Sequence, residues 1–149
     1  MPRRIPKSVI EMLRAVPLFS ECNTKELREI ASIGAEIPIA DGHVMIKEGA
    51  VGQEFFLLLQ GHARCLIGGK QVAEFGPGDF FGEMALLEHG PRNATVVAEG
   101  ASEVLLLDSR EFSTLLDTSP SITRKLLGVL AERAKEDMDI LKGSSSRSS

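Results

Sequence analysis

The sequence contains no tryptophan and no tyrosine, so its aromatic content is seven phenylalanines. A buried core must therefore be mainly aliphatic, with Leu, Ile and Val supplying most of the apolar area. Cysteine is scarce as well. Cys22 and Cys65 stand alone with no CxxC spacing, which speaks against a disulfide framework and fits two unlinked thiols in a reducing, cytoplasmic compartment. No apolar run approaches the roughly 20 residues of a membrane-spanning helix, and the N-terminus lacks the apolar stretch of a signal peptide. A soluble chain without direct membrane insertion is expected. Positive charge is also in deficit, with 17 Lys and Arg against 21 Asp and Glu and a formal net charge of −4. Sequence-independent nucleic-acid binding draws most of its affinity from clustered basic residues, so no nucleic-acid partner is expected. The one basic cluster, Arg3, Arg4 and Lys7, belongs to a frayed N-terminal arm over residues 1–8.

What is present is enough for one domain. At 149 residues, 43% apolar and 26% charged, the chain can bury a core without metal or disulfide. Glycine divides it: none precedes Gly34, and only Gly128 and Gly143 follow Gly100. Glycine marks sharp turns, so the middle is the β region. Strand-like runs fall at 36–40, 44–46, 55–59, 63–67, 72–75, 95–98 and 104–107, separated by Asp41-Gly42, Gly68-Gly69, Gly76-Pro77-Gly78 and Glu99-Gly100. Many short strands joined by tight turns predict a barrel or jelly roll.

Helix signals bracket that region. Ser8 with Glu11 and Asn23 with Glu26 make capping-box patterns around the segment Val16-Pro17-Leu18-Phe19, and Asp108 with Glu111 makes a third. A longer helix follows, with Ser119 as N-cap and Pro120 at its first position. Its apolar stripe is Ile122, Leu126, Leu130, Ala134, Met138 and Leu141, and Gly143 is expected to end it. That stripe must face something apolar. The fold class read from this order is α+β: a small β-roll flanked by short N-terminal helices and a C-terminal helix pair. The domain is placed at 9–142, with helices over 9–34, the roll over 35–107, terminal helices over 108–142 and a disordered tail over 143–149.

Enzyme signatures fail one after another. Gly76-x-Gly78-x-x-x-Gly82 misses the dinucleotide fingerprint by one position, and Gly68-Gly69-Lys70 lacks the spacing and the following Ser or Thr of a P-loop. His43, His62 and His89 form no pair at metal-ligand spacing, so no metal and no catalytic residue is assigned. What stands out is Phe80-Phe81-Gly82-Glu83-Met84-Ala85-Leu86-Leu87, followed after Glu88-His89-Gly90 by Pro91-Arg92-Asn93-Ala94-Thr95-Val96. Gly82 lets the backbone turn close to a ligand, and the Glu83–Leu87 stretch is long enough for one helical turn with free N–H groups. Arg92, behind a rigid proline, is shaped for a bidentate grip on phosphate oxygens. Glu83 could accept hydrogen bonds from a sugar hydroxyl. Taken alone, the two residues favour an ion pair that ties a turn to a strand.

The string as a whole resembles the phosphate-binding cassette of the cyclic nucleotide-binding domain family, in which Phe-Gly-Glu-x-Ala-Leu is followed by Pro-Arg-x-Ala-Thr-Val. The resemblance extends upstream through Glu48-Gly49-x-x-Gly52, Phe55-Phe56-Leu57-Leu58 and Gly61-x-Ala63, and covers about residues 9–141. It implies a non-catalytic regulatory module whose ligand is cAMP or cGMP. Gly82 and Ala85 would offer backbone contacts, Glu83 would take the ribose 2′-hydroxyl and Arg92 the exocyclic phosphate oxygens, with Met84, Asn93 and Ala94 completing the site. The last helix would act as a lid over the base and signal by its movement, with Leu130 and Arg133 as candidate lid residues. The residue after the phosphate arginine is often Thr or Ser in cGMP-preferring members and Ala in many cAMP-preferring ones. Asn93 leans the expectation toward cAMP without excluding guanine. The output is an unnamed effector protein or output domain, on another chain or in a longer one. Two other readings stay open: a ligand-free structural domain of the same fold and a cupin-like metal enzyme.

Overall fold

The structure, a computed structural model, describes residues 5–88 and 90–148, with side chains through Asp139. Arg3, Arg4 and His89 lie outside the described residues. Helix α1 (Lys7–Arg14) leads through a 3-10 turn at Pro17–Phe19 to α2 (Thr24–Ile33). The box at Asn23 and Glu26 forms as expected: the Glu26 N–H donates to Asn23 Oδ1 at 2.9 Å and the Asn23 N–H to Glu26 Oε1 at 2.8 Å. The box expected at Ser8 and Glu11 does not form. The helix begins one residue before Ser8, with Pro6 as N-cap, and the Pro6 carbonyl accepts from Val9 and Ile10 N–H groups. A serine inside the first turn is past the position from which its side chain can cap.

Six antiparallel strands follow: β1 (Ala35–Ile39), β2 (Val44–Ile46), β3 (Glu54–Ile67), β4 (Lys70–Phe75), β5 (Phe80–Phe81) and β6 (Thr95–Asp108). The order is β1-β6-β3-β4, with β2 also paired to β6 and β5 to β3, so the sheet forms the expected α+β roll without closing. Among the described residues the one proline in a strand, Pro38, sits on the outermost strand β1, where a missing donor costs least. Four of the seven expected strands fuse in pairs, 55–59 with 63–67 and 95–98 with 104–107. β3 and β6 stay hydrogen-bonded to each other across register shifts at Leu58/Gln60 and Gln60/His62. Gly61 and Gly100, at φ of 91° and 78°, thus bend the chain where a strand end was expected.

The apolar residues sort into two clusters. One joins the helices to the outer face of the roll and holds Phe19, Phe55, Leu57, Leu105, Leu107 and Phe112; the other fills the roll with Phe56, Leu58, Phe81, Val96 and Val104. Phe55-Phe56-Leu57-Leu58 therefore alternates between two cores. That is why it reads as an unbroken apolar run rather than a polar–apolar alternation.

The chain ends in α3 (Ser109–Thr118) and α4 (Pro120–Ser148). Asp108 caps α3 by accepting from the Arg110 N–H at 2.7 Å. In α4, Ile122 and Leu126 are buried in the helical cluster and Leu130 packs half-buried against it, whereas Ala134 and Met138 are exposed. Glu26 is buried, and its carboxylate meets Lys125 Nζ of α4 at 2.5 Å. Contrary to expectation, α4 does not stop at Gly143. Its backbone stays helical through the serine-rich segment to Ser148. One glycine weakens a helix by about 1 kcal/mol relative to alanine without removing any hydrogen bond.

Candidate functional site

A cavity of about 540 Å³ is bounded by residues of β2 to β6 and by the segment after β5, and all seven expected ligand-binding residues line it: Gly82, Glu83, Met84, Ala85, Arg92, Asn93 and Ala94. β5 delivers the chain to Gly82, whose left-handed backbone (φ 79°) starts a 3-10 turn over Glu83–Leu86. Only glycine takes that conformation freely. A Cβ there would also lie 2.7 Å from Arg92 Nη1 and 2.8 Å from the Glu54 carbonyl oxygen.

Arg92 is anchored at backbone and side chain. Its N–H donates to the Ala50 carbonyl at 2.8 Å, its own carbonyl accepts from the Gly49 N–H at 2.9 Å, and Pro91 pairs with Val51 in an isolated β-bridge. Its Nη2 donates to the Glu54 carbonyl at 2.6 Å. Burial lowers the guanidinium pKa from its ordinary value, and the Glu54 charge opposes that shift. The cation is thus partly desolvated before any anion arrives, which strengthens its attraction for one.

Glu83 lines the same cavity. Burial raises its pKa above the ordinary carboxylate value, against the Arg133 charge and a hydrogen bond from the Leu18 N–H. Its Oε2 is buried with no hydrogen-bond partner. An unsatisfied carboxylate oxygen in a cavity is costly unless a donor occupies the space in front of it. The ion pairs among the described residues are Arg14–Glu11, Arg64–Glu99 and Lys125–Glu26. Glu83 and Arg92 are therefore not tied to each other, and both remain available to a ligand.

The candidate lid residues are placed differently. Leu130 belongs to the helical cluster and no residue of α4 lines the cavity. Arg133 reaches the rim, with Nη1 3.9 Å from Met84 Sδ. The part of the stripe at Ile122 and Leu126 finds its apolar partner among the helices rather than over the cavity.

Sequence reasoning missed the apolar floor made by Ile46, Cys65, Phe75, Phe81 and Val96. The Phe75 and Phe81 rings stack there at 5.1 Å. The available signal was the inward-facing alternation of β3, β4 and β6. It also missed the Glu54 carbonyl, which no side-chain motif could reveal. Cys65 and Cys22 are both free thiols. Among the described residues no cluster of three or more His, Cys, Asp or Glu could hold a metal, and no helix is long and apolar enough to cross a membrane.

The roll thus carries a cavity lined by one anchored guanidinium, one carboxylate with an unpartnered oxygen and two stacked phenylalanines. The sequence profile of the cyclic nucleotide-binding domain matches residues 36–119, and the chain belongs to that family. The matched domain is a cyclic nucleotide-binding, non-catalytic one. It is 35% identical over 129 residues to a cAMP-dependent protein kinase regulatory subunit of Hypocrea atroviridis, an alignment covering 87% of this chain and 28% of that one. The chain spans about a third or less of the length of the curated relatives it matches. Its fold is similar to the N-terminal domain of a transcriptional regulator from Streptomyces coelicolor A3(2), with TM-score 0.80, 25% identity and coverage of 87% of this chain and 94% of that one. It is also similar to the regulatory domain of Toxoplasma gondii PKA solved with cAMP, with TM-score 0.67, 30% identity and coverage of 76% and 46%.

Proposed function

We propose that this domain senses cAMP in preference to cGMP, releases it unchanged, and reports its binding through α4 to a protein partner. The observation that carries the reading is that Glu83 and Arg92 line one cavity without pairing with each other, and that Glu83 Oε2 is buried there without a partner. A cyclic phosphate would satisfy Arg92, and the ribose 2′-hydroxyl would donate to Glu83 Oε2. The backbone at Gly82 and Ala85 would lie against the phosphate, with Met84, Asn93 and Ala94 bounding it, although the Ala85 N–H donates to the Gly82 carbonyl at 3.1 Å and would have to exchange that bond for one to the ligand. The stacked Phe75 and Phe81 rings are an apolar surface for the rest of the nucleotide. The preference for cAMP rests on Asn93, where a Thr or Ser hydroxyl would favour guanine.

Lid movement rests on α4 being only partly committed to the core, with Leu130 half-buried and Arg133 already at the rim beside Met84. The regulatory-subunit relatives make a kinase-type partner the first to test. Two free thiols and the lack of a membrane-spanning helix among the described residues support a cytoplasmic setting. Calorimetric titration with cAMP and cGMP is the test. We expect saturable heat with both, tighter for cAMP, and unchanged nucleotide on recovery. Absence of heat with either at high micromolar concentration overturns the binding reading, and tighter cGMP binding overturns the preference.

A further inference from the structure

Gly52 lies in the segment between Val51, which bridges to Pro91, and β3. It is buried, and a Cβ built on it would overlap the Nε, Cζ and Nη2 atoms of Arg92. No other glycine described would meet a guanidinium over so much of its length; Gly82 meets only its tip, Nη1. Several glycines of this fold are needed for a left-handed backbone, but Gly52 is not among those with positive φ. Alanine would suit its backbone, and the side-chain space it would enter is already filled by the arginine. Its bare Cα is therefore a seat for the guanidinium rather than a hinge for the chain.

We infer that Gly52 is a positioning residue for the ligand-gripping arginine. It lets the guanidinium lie flat on the chain of residues 51–53, so that Nη2 reaches the Glu54 carbonyl while Nη1 is left beside Gly82 at the cavity wall. A methyl group at residue 52 lifts the guanidinium off this seat, breaks the bond to Glu54 and turns the charge away from the direction fixed by Pro91 and the Ala50 bond. The inference deepens the proposed role of Arg92 and rests on it for its effect on ligand. The seat itself does not require a ligand.

The test is a double-mutant cycle on the whole chain with Gly52→Ala, Arg92→Ala and the two combined, reading cAMP affinity by calorimetry and melting temperature without ligand. Gly52→Ala should weaken cAMP binding about tenfold or more, in line with misdirecting a charge-assisted contact. In the Arg92→Ala background it should change affinity less than about twofold. It should also lower the melting temperature of the parent, and Arg92→Ala should restore that loss by vacating the space. If Gly52→Ala alone cannot be obtained folded while the combined variant can, the seat is supported by the same logic. Parent-like cAMP affinity in Gly52→Ala, or a melting-temperature loss undiminished in the combined variant, overturns the inference. If Arg92→Ala itself binds cAMP as the parent does, the role of Arg92 fails, and the ligand-free melting cycle still decides whether Gly52 seats it.

Discussion

Lys125→Met removes the one cation that meets the buried Glu26, and its cost can be worked from the surroundings of the pair. The contact is 2.5 Å, with the Glu26 side chain 5% exposed and that of Lys125 34% exposed. Breaking a fully buried pair costs about 3–5 kcal/mol, because an uncompensated charge stays behind. Here Glu26 keeps the Asn23 N–H and a hydrogen bond from Ser121, which reduces the expected loss to about 2–3 kcal/mol. Glu26→Gln should cost only about 1 kcal/mol, because glutamine can still complete the capping box and a lysine one-third exposed can turn to water.

Acid sharpens the comparison. Burial alone would raise the Glu26 pKa, but the hydrogen bonds from Lys125, Asn23 and Ser121 outweigh it and hold the value below the ordinary 4.5. A carboxyl depressed on folding contributes stability above its unfolded pKa and loses that contribution as pH falls through its folded value. The Lys125→Met deficit should therefore be full at neutral pH and shrink in acid, where the parent loses its pair and the variant sheds its unpaired charge. Urea unfolding at neutral pH and in the acid range measures it, and thermal melts should show a fall of roughly 4–12 °C at neutral pH. Glu26→Gln costing as much as Lys125→Met, or a deficit independent of pH, refutes the reasoning.

In the proposed site, Arg92→Ala should cost about 2–5 kcal/mol of cAMP affinity and Glu83→Ala about 1.5–3 kcal/mol, measured by calorimetry; the reverse ranking would move the main anchor elsewhere. Because burial raises the Glu83 pKa and only the ionised form accepts with both oxygens, cAMP affinity should begin to fall at a higher pH than an ordinary carboxylate would allow. Glu83→Gln should remove that part of the pH profile. Burial pushes the Cys22 thiol up to about 11 and raises that of Cys65 too, but Cys22 is buried and Cys65 only half-buried, so a thiol reagent should modify Cys65 first, and saturating cAMP should slow that reaction because Cys65 lines the cavity. Deleting the chain after Ser119 removes Ile122 and Leu126 from the core, at about 2–5 kcal/mol for each large side chain lost. Circular dichroism should show that fragment largely unfolded, while one ending after Leu130 stays folded; a stable roll without Ile122 would contradict the core described here.

The sequence carried most of the architecture because its strongest signals are local. Asn23 and Glu26 close their box within one turn, and Gly42, Gly68, Gly69 and Gly78 take the positive φ that sharp turns require. The cassette residues were legible because Gly82 and Arg92 do their work within one short segment of chain. The misses were decided at long range. The chain was read as broken between 59 and 63 and at Glu99-Gly100, yet pairing between β3 and β6 carries the sheet past both places. Ser8 lost its cap to a helix that starts earlier at Lys7. The partner of Leu126 was unreadable because α4 can reach either the cavity or the helices, and packing with residues such as Phe19 and Phe112 decides for the helices. Gly52 showed up as part of a pattern, but its reason lies in a side chain 40 residues away.

The first half of β3 and the second half of β6 form a party wall, greasy on both sides. Removing the helices would leave Phe55, Leu57, Leu105 and Leu107 standing together on a bare sheet face. That is the kind of contiguous apolar surface that drives soluble proteins to aggregate. The roll is therefore not a detachable cup with handles added, and helices and roll should melt in one all-or-none transition. Any shorter version made for crystals or for fusion to a reporter has to keep residues from Val9 to Leu126, the full sequence extent of the core on the helical side of that wall.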